Sequence, residues 1–227
     1  MPTLAPRLAR NRELQFTVAD NLRKIMALDH TQDSRGRAPD QALAGLGDAA
    51  SAARRGPAPV HLWNPPYCGD IDMRIAADGV WHYLGSPIGR APLVQLFSSI
   101  LRKDGDQYVL VTPVERVGIK VDDAPFLAVE MNVEDGAAGP RLVFRTQVDD
   151  VVAIDAEHPL RFETGAADGV KPYFRVRGDL WALVKRSLFY DLVALGRVEP
   201  WQGEDWFGVR SSGLFFPMRP ASEIEGL

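Results

Sequence analysis

From Val60 onward the chain is a succession of short runs rich in β-branched and aromatic residues, most of them bounded by Gly, Pro or Asp. Runs of four to eight such residues between turn-forming residues are typical of β-strands. In chain order the runs are VHLW, DIDMRI, VWHYL, YVLVTP, VGIKV, FLAVEMNV, RLVFRT, VVAI and YFRVR. So many short strands predict a body of the α+β class that is built mainly from β-sheet.

Two segments interrupt the strands with apolar residues at helical spacing. The first, RAPLVQLFSSILR, carries Pro92 where a helix would begin. The second, GDLWALVKRSLFYDLVALG, has Asp179 as its expected N-cap and Gly196 just past its end. The apolar positions are Leu93, Leu96, Phe97, Ile100 and Leu101 in the first segment, and Leu180, Leu183, Val184, Leu188, Leu192 and Leu195 in the second. We expect two core helices packed on sheets.

A fixed offset of 90 residues indicates an internal repeat. The offset superposes Ala77-Asp78-Gly79-Val80 on Ala167-Asp168-Gly169-Val170, Tyr83 on Tyr173, and Leu93-Val94 on Leu183-Val184. Both copies then read as turn, strand, short linker and helix with the same spacing. The sequence therefore predicts two similar halves formed by duplication, each with one core helix.

The segment 1–59 differs from the rest of the chain in charge. It contains nine Lys or Arg and six Asp or Glu, which leaves 17 basic and 24 acidic side chains for the remainder. Helical patterns cover residues 12–28 and 41–55, with a polar stretch between them. We therefore expect an N-terminal extension over 1–59, partly disordered and with one or two helices, a first half over 60–140 and a second half over 141–227.

Composition narrows the classes of function. Apolar residues at 46% and charged residues at 25% are ordinary for a globular protein, and no apolar run approaches the roughly 18 residues of a membrane span. The net charge of −4 disfavours a protein that grips nucleic-acid backbone. One cysteine, Cys68, and four histidines without ligand spacing predict neither a disulfide nor a zinc site. Since no secretory pattern is present, we expect a cytoplasmic protein without a nucleic-acid, membrane or metal partner.

Five long strings carry a resemblance to a known family. They are HLWNPPYCGDIDMRI at 61–75, GSPIGRAPLVQLFSSILRKD at 85–104, YVLVTPVERVGIKVDDAPFLAVEM at 108–131, HPLRF at 158–162 and LFYDLVALG at 188–196. Through them the body resembles the bacterial domain-of-unknown-function family 1285. The resemblance implies a two-part α+β fold built by duplication, whose second part is superficially similar to a pleckstrin-homology domain. It also implies a nucleotide-like ligand at the interface of the two parts and a role in signal transduction.

The string GDIDMRI places polar side chains at every second position of a predicted strand. Asp70, Asp72 and Arg74 therefore share one face, opposite the apolar residues between them. A solvated sheet surface accounts for this alternation with no further role. A ligand site is the second interpretation, with the carboxylates accepting hydrogen bonds and Arg74 meeting a phosphate. Metal-assisted or acid/base catalysis by the two acids is the third.

The string GSPIGR joins a predicted strand to a predicted helix N-terminus, where free amides and the helix dipole favour an anion. Ser86 and Arg90 are its candidate ligand-binding residues. The glycine spacing fits neither a dinucleotide fingerprint nor a Walker loop, and a turn that starts a helix is the simpler interpretation. Under the offset of 90, the same segment superposes on residues 175–180, so that Arg175 and Arg177 would converge with Arg90 if the halves pack face to face.

Two functions compete on these observations. The first is a non-enzymatic protein that binds a nucleotide-like or other anionic small molecule between its halves. Its candidate contacts are Asp70, Asp72, Arg74, Ser86, Arg90, Arg175 and Arg177. The alternative is a metal- or acid/base-dependent hydrolase that uses Asp70 and Asp72. A third interpretation is an interaction module whose second half binds a protein partner or another copy of the chain.

Overall fold

The computed structural model describes residues 57–165 and 169–224. Within them the chain forms two six-stranded sheets, one three-stranded sheet and two α-helices. Two similar β-rich halves with one helix each are thereby confirmed. The predicted helices over 12–28 and 41–55 lie outside the described residues.

Sheet 1 takes up the first part of the described chain and has the strand order β3-β2-β1-β6-β5-β4. Its strands are β1 (Tyr67–Ile75), β2 (Trp81–Tyr83), β3 (Ser86–Pro87), β4 (Leu101–Asp104), β5 (Gln107–Val111) and β6 (Arg116–Val121). Helix α1 (Ala91–Ser99) connects β3 to β4. The central strands β1 and β6 are parallel, and every other neighbouring pair is antiparallel.

Sheet 2 follows in the chain and has the strand order β10-β11-β12-β7-β8-β9. Its strands are β7 (Phe126–Gly136), β8 (Gly139–Thr146), β9 (Val151–Ala153), β10 (Leu160–Thr164), β11 (Val170–Arg177) and β12 (Leu180–Val184). The central strands β7 and β12 are parallel, and the outer pairs are antiparallel. Phe144 of β8 stacks on Phe174 of β11 at 4.7 Å between ring centres, so the sheet closes over an apolar core.

The two six-stranded sheets share one topology. In each, the first and last strands form the central parallel pair and the others extend outward in the same order. Strand β1, which opens sheet 1, corresponds to β7, and β6, which completes sheet 1, corresponds to β12. The repeat is therefore a six-strand unit whose first copy starts at Tyr67 and whose second starts at Phe126.

The predicted offset of 90 residues is wrong. It superposes Leu93-Val94, which lie in α1, on Leu183-Val184, which lie in the strand β12. The matching letters came from common turn residues and from apolar pairs in unlike elements. The helices also occupy different places, because α1 lies within the sheet 1 unit whereas α2 (Arg186–Ala194) follows the last strand of sheet 2.

The predicted helix over 178–196 is a strand followed by a shorter helix. Residues 180–184 form β12, in which every second residue is buried. Pairing with β11 on one side and β7 on the other fixes the extended conformation, and tertiary pairing outweighs the helical spacing of the apolar residues. Helix α2 buries only Leu192 of its nine residues, and Leu195 beyond its end is exposed.

The first predicted helix is confirmed as α1, although it ends at Ser99. The whole predicted stripe is buried: Leu93, Leu96, Phe97, Ile100 and Leu101. The chain turns at Ile100 and enters β4 with the next residue, so the stripe continues from the helix into a strand. Neither α1 nor α2, the α-helices of the described part of the chain, has the length to cross a membrane.

Sheet 3 packs against sheet 2. It consists of β13 (Arg197–Trp201), β14 (Glu204–Ser211) and β15 (Leu214–Pro220), joined in that order by antiparallel pairing. Ser211 is fully buried where the two sheets meet. Its Oγ accepts a hydrogen bond from the amide of Leu142 at 2.9 Å and donates one to the carbonyl of Ile154 at 2.6 Å. A single hydroxyl therefore joins β14 to two segments of sheet 2.

Two further sequence expectations need correction. The run VHLW is not a strand, because Val60–Leu62 form a 3-10 turn that Arg102 holds by donating to the carbonyls of Val60 and Trp63 at 2.6 Å each. The expected division of the halves at 140/141 falls inside β8. The chain instead leaves sheet 1 at Val121 and enters sheet 2 at Phe126.

Candidate ligand site between the two sheets

The two-faced strand predicted from GDIDMRI is confirmed as β1. Met73 and Ile75 are buried, whereas Asp70, Asp72 and Arg74 are exposed. The alternation thus separates a core face from a solvent face, as a pleated strand requires. What the polar side chains do depends on their individual partners.

Asp70 belongs to a small hydrogen-bond network over β6. Its Oδ1 accepts from the Tyr67 hydroxyl at 2.5 Å and from Gln107 Nε2 at 3.1 Å, and Gln107 Nε2 also donates to the Tyr67 oxygen at 2.7 Å. The network closes over Gly118, where an added Cβ would lie 1.9 Å from Asp70 Oδ1. The hydrogen bond to Asp70 raises the pKa of Tyr67. Asp70 therefore links the start of β1 to β5 across the intervening strand.

Arg74 already has an acidic partner. Its Nε lies 2.9 Å from both carboxylate oxygens of Asp122, and its Nη2 donates to the same carboxylate. The two residues meet because β1 and β6 run in parallel, with Ile75 opposite Val121. The hydrogen bonds from Arg74 hold the pKa of Asp122 below its usual range. A phosphate at Arg74 would therefore compete with a bidentate internal partner.

Asp72, Ser86 and Arg90 are exposed, and their side chains make no hydrogen bond to another described residue. Ser86 lies in the two-residue strand β3. Arg90 is the N-cap of α1 and makes no side-chain capping hydrogen bond. The segment GSPIGR therefore forms a short edge strand and the entry to a helix.

Arg177 lies at the opposite end of α1 from Arg90. Its Nη2 donates to the carbonyl of Ser98 at 2.7 Å, and its Nη1 donates to Asp150 Oδ2 at 2.5 Å. Ser98 lies eight residue steps beyond Arg90 along the helix, a length of about 12 Å at 1.5 Å per residue. The structure does not bring these arginines together. Arg177 instead joins sheet 2 to the C-terminal end of α1, where a cation is favoured.

Arg175 belongs to a group of charged and aromatic side chains where sheets 1 and 2 meet, which we call the junction cluster. Its members are Lys103 and Tyr108 of sheet 1, Arg161, Glu163, Lys171, Tyr173, Arg175 and Trp181 of sheet 2, and Asp123 and Asp179 of the connecting segments. Cross-strand pairing places the sheet 2 members on one face, because Arg161 is opposite Tyr173 and Arg175 is opposite Trp181. The reverse face of these strands is apolar core.

Trp181 is the aromatic centre of the junction cluster. The guanidinium carbon of Arg161 lies 4.0 Å from its ring centre and that of Arg175 lies 5.4 Å away, both within cation–π range. Its Nε1 donates to Asp179 Oδ1 at 3.1 Å. Lys103 lies 5.7 Å from the ring centre of Tyr108, so sheet 1 contributes a similar cation–aromatic pair.

The charges of the junction cluster do not cancel. Lys103 pairs with Asp179 at 3.2 Å, Arg161 with Glu163 at 3.1 Å and Lys171 with Asp123 at 2.6 Å. These pairs account for all three acids of the cluster and leave Arg175 without one. The Nε of Arg175 is buried and has no hydrogen-bond partner among the described residues. A buried donor without an acceptor is uncommon and costly, so an additional acceptor is expected there.

Two tyrosines of the junction cluster are held in their neutral form. Burial and the hydrogen bond to Asp123 raise the pKa of Tyr173. Burial also raises the pKa of Tyr108. The charges of Asp179 and Asp123 raise it further, whereas those of Lys103 and Arg161 oppose the shift. The Tyr108 hydroxyl makes no hydrogen bond to another described residue. It is therefore a neutral donor that faces charged groups from both sheets.

Most of the junction cluster was missed by the sequence predictions. Arg175 was named, but for its place in the offset of 90 residues, which is wrong. The usable signal is the alternation in LRFET, YFRVR and LWALV, where basic and aromatic residues share one strand face. That signal shows which residues share a face within a strand, and it does not show which strands are neighbours.

A separate cleft of about 300 Å³ lies beside Arg177. Asp150 and Arg177 form one part of its wall, and Asp155 and His158 form another. The Asp155 Oδ1 accepts from the amides of Glu157 and His158, so this carboxylate shapes its own loop. Across residues 57–165 and 169–224, no three His, Cys, Asp or Glu side chains gather as a metal site would require.

Comparison with known proteins identifies the family. Residues 58–124 match the model for the domain of unknown function (DUF1285), N-terminal domain, and residues 125–218 match the model for the protein of unknown function (DUF1285), C-terminal domain. The chain belongs to the DUF1285 family. The two family models meet at 124/125, within the segment that joins sheet 1 to sheet 2. No curated protein matches the chain.

Two solved structures of DUF1285 family proteins are similar to this chain. The protein from Silicibacter pomeroyi DSS-3 is 48% identical, with a TM-score of 0.71, over 78% of this chain and 97% of that one. The protein from Shewanella baltica OS155 is 28% identical, with a TM-score of 0.45, over 55% of this chain and 91% of that one. The first of these extends the shared fold to most of the described residues.

Proposed function

We propose that this DUF1285 protein is a cytoplasmic binding protein for a small anionic ligand, held at the junction cluster between its two six-stranded sheets. Arg175 carries the proposal. It is the cation that the three ion pairs of the cluster leave uncompensated, and its buried Nε lacks an acceptor among the described residues. A phosphate or carboxylate would supply both the missing charge and the missing acceptor.

The aromatic members of the junction cluster favour a ligand with a flat ring. Trp181 and Tyr108 come from different sheets, and each has a cation near its ring. Base-to-aromatic stacking contributes about 1–3 kcal/mol where it occurs in single-strand binding proteins. A nucleotide-like molecule would combine such a ring with the anionic group that Arg175 lacks. The role in signal transduction implied by the family resemblance stays a prediction. In such a role, the presence or absence of the bound ligand would be the signal.

The alternative function, hydrolysis by Asp70 and Asp72, has less support. Asp70 Oδ1 is engaged by Tyr67 and Gln107, and Asp72 makes no side-chain hydrogen bond to another described residue. A catalytic pair would need the two carboxylates to act on a shared substrate or ion. The observed contacts give the two acids separate surroundings.

A thermal-shift screen tests the binding proposal. The full-length chain would be screened against nucleoside mono-, di- and triphosphates, inorganic phosphate and phosphorylated sugars. A ligand present at a hundred times its Kd should stabilise the protein by about 2.7 kcal/mol. Hits would be measured by isothermal titration calorimetry with Arg175→Gln, for which we expect at least a tenfold loss of affinity.

Arg141→Gln is the matched control. Arg141 is an exposed arginine that pairs with Glu134 inside the β7–β8 hairpin, away from the junction cluster. The Arg141→Gln substitution should leave the affinity for the ligand unchanged. The proposal fails if no member of the panel shifts the melting temperature, or if Arg175→Gln and Arg141→Gln bind the same ligand equally well.

A further inference from the structure

The contact between sheets 1 and 2 is polar at several points. Arg177 donates to the carbonyl of Ser98, Gln95 Nε2 donates to Asp149 Oδ2 at 2.9 Å, and Lys103 pairs with Asp179. Interfaces of this kind within a chain usually permit relative motion of the parts, unlike large apolar ones. All strands of sheet 1 precede all strands of sheet 2, so one segment, residues 122–125, connects the two sheets.

The first two residues of that connecting segment are acids with partners in different sheets. Asp122 receives the guanidinium of Arg74 from sheet 1, while Asp123 accepts from Lys171 and Tyr173 of sheet 2. The amide of Asp122 also donates to the carbonyl of Ile75 at 3.0 Å. Motion between the sheets would therefore pivot about a short segment in which two consecutive residues, Asp122 and Asp123, are held by different sheets.

The Lys103–Asp179 ion pair links the edge strand β4 of sheet 1 to the turn between β11 and β12 of sheet 2. Asp179 is 59% exposed, and Gly178 beside it has a φ of +52°. The other carboxylate oxygen of Asp179 accepts from Trp181 Nε1. One exposed aspartate therefore holds a lysine of one sheet and the central tryptophan of the other.

We propose that the Lys103–Asp179 ion pair is a latch that holds the two sheets closed over the junction cluster, and that its breaking lets them open about residues 122–125. Exposed ion pairs contribute little and are screened by salt, so the latch opens without large cost. Opening increases the solvent exposure of Tyr108, Arg175 and Trp181, which are half-buried in the closed arrangement. The latch acts with or without a ligand, so it does not rest on the proposed function.

Distance measurement between two spin labels tests the latch. Nitroxides would be attached at Asp106→Cys in the β4–β5 turn of sheet 1 and Thr164→Cys in β10 of sheet 2, both exposed, with the exposed Cys68 changed to Ser. Pulsed electron spin resonance then reports the distance distribution. Lys103→Met and Asp179→Asn should each add a longer-distance population. We expect the open fraction to rise about five-fold, which corresponds to the upper end of the stabilisation that exposed ion pairs contribute. Raising the salt concentration should have the same effect on the parent.

The charge-exchanged variant Lys103→Glu with Asp179→Lys restores an ion pair and should recover the short distance. Glu134→Gln, which removes an ion pair inside sheet 2, should leave the distribution unchanged. The latch is refuted if the single variants keep the parent distribution at every salt concentration. It is also refuted if the exchanged variant is as open as the single ones while melting at the parent temperature.

Discussion

The hydroxyl of Tyr173, on strand β11 of sheet 2, donates a hydrogen bond of 2.7 Å to Asp123 Oδ1 in the segment that enters that sheet from sheet 1. Lys171, two residues before Tyr173 on the same strand face, holds the other oxygen at 2.6 Å. The neighbouring Asp122 is held by Arg74 of sheet 1. Two consecutive carboxylates thus attach one connecting segment to both halves of the protein.

Tyr173→Phe should destabilise the protein by about 1 kcal/mol, the usual net value of one hydrogen bond in a folded protein. The ring stays in place, so the loss is confined to the bond with Asp123. Urea unfolding followed by circular dichroism would measure it. Tyr190→Phe is the control, because Tyr190 is 60% exposed on α2 and should change the free energy of unfolding by less than about 0.5 kcal/mol. Equal effects of the two substitutions would contradict the role given to the Tyr173 hydroxyl.

Gly118→Ala should destabilise the protein because the new Cβ would displace the Asp70 carboxylate and, with it, the Gln107 and Tyr67 groups. We expect a loss of about 1–2 kcal/mol, as for other broken hydrogen-bond networks with local crowding. The loss should shrink in an Asp70→Ala background, where the displaced oxygen is absent, so the two substitutions should be non-additive.

Gly89→Ala is the control for this cycle. A Cβ at residue 89 would meet no atom within 4 Å, and the residue has no positive φ, so the substitution should be close to neutral. Chemical denaturation of the four variants measures the coupling. Strict additivity of Gly118→Ala and Asp70→Ala would show that the Asp70 hydrogen-bond network does not depend on the absence of a side chain at Gly118.

Ser211→Ala should be the most costly of these substitutions. It removes a fully buried hydroxyl that serves both the Leu142 amide and the Ile154 carbonyl. The carbonyl keeps the Ser212 hydroxyl as a donor, whereas the amide loses its Ser211 acceptor. An unpaired buried group costs about 1–3 kcal/mol. Ser212→Ala, whose hydroxyl donates only to the Ile154 carbonyl at 2.8 Å, should cost less. Thermal and urea unfolding would rank the two, and a reversed order would contradict the account of how sheet 3 is attached.

The protein should lose stability in acid partly through Asp104. Hydrogen bonds from Arg102 and Arg116 lower the pKa of Asp104. A lowered pKa means that the carboxylate stabilises the fold fully above its unfolded value of about 3.9 and loses that contribution as the pH falls through the lower folded value. The free energy of unfolding should therefore decline from about pH 5 downward.

Asp104→Asn should flatten that decline and lower stability at pH 7, where Arg102 and Arg116 lose their shared partner. Unfolding midpoints between pH 3 and pH 7 would measure both effects. Asp106→Asn, two residues on in the exposed turn, should leave the profile unchanged because Asp106 has no ion-pair partner among the described residues. Identical acid profiles for the parent and Asp104→Asn would contradict the prediction.

The sequence was sufficient for features that depend on neighbours along the chain. The alternation of Asp70, Met73 and Ile75 placed β1 with its correct buried face, and the spacing of Leu93, Leu96 and Phe97 located α1. Each of these two patterns depends only on which face of one strand or helix is buried. Such a pattern can be recognised without knowing which strand or helix packs beside it.

The sequence was insufficient where pairing decides the outcome. Residues 180–184 satisfy a helical stripe and a strand alternation equally, and only β7 and β11 on either side select the strand. The junction cluster brings together Tyr108 of sheet 1 and Trp181 of sheet 2, which lie far apart in the sequence. Contacts of that range depend on the order of strands in two sheets, which no local spacing encodes.

The shared strand order also determines how this chain reaches its native state. In each six-strand unit the central parallel pair joins the first strand to the last. This central pair therefore cannot form until all six strands of its unit are available. Pairings of such long sequence separation make folding slow, because loop closure precedes the gain from contact. Yet the two closures do not overlap, since β6 ends at Val121 and β7 starts at Phe126. Sheet 1 therefore needs no strand of sheet 2 to complete its own pairing, which separates one slow topological search into two shorter ones.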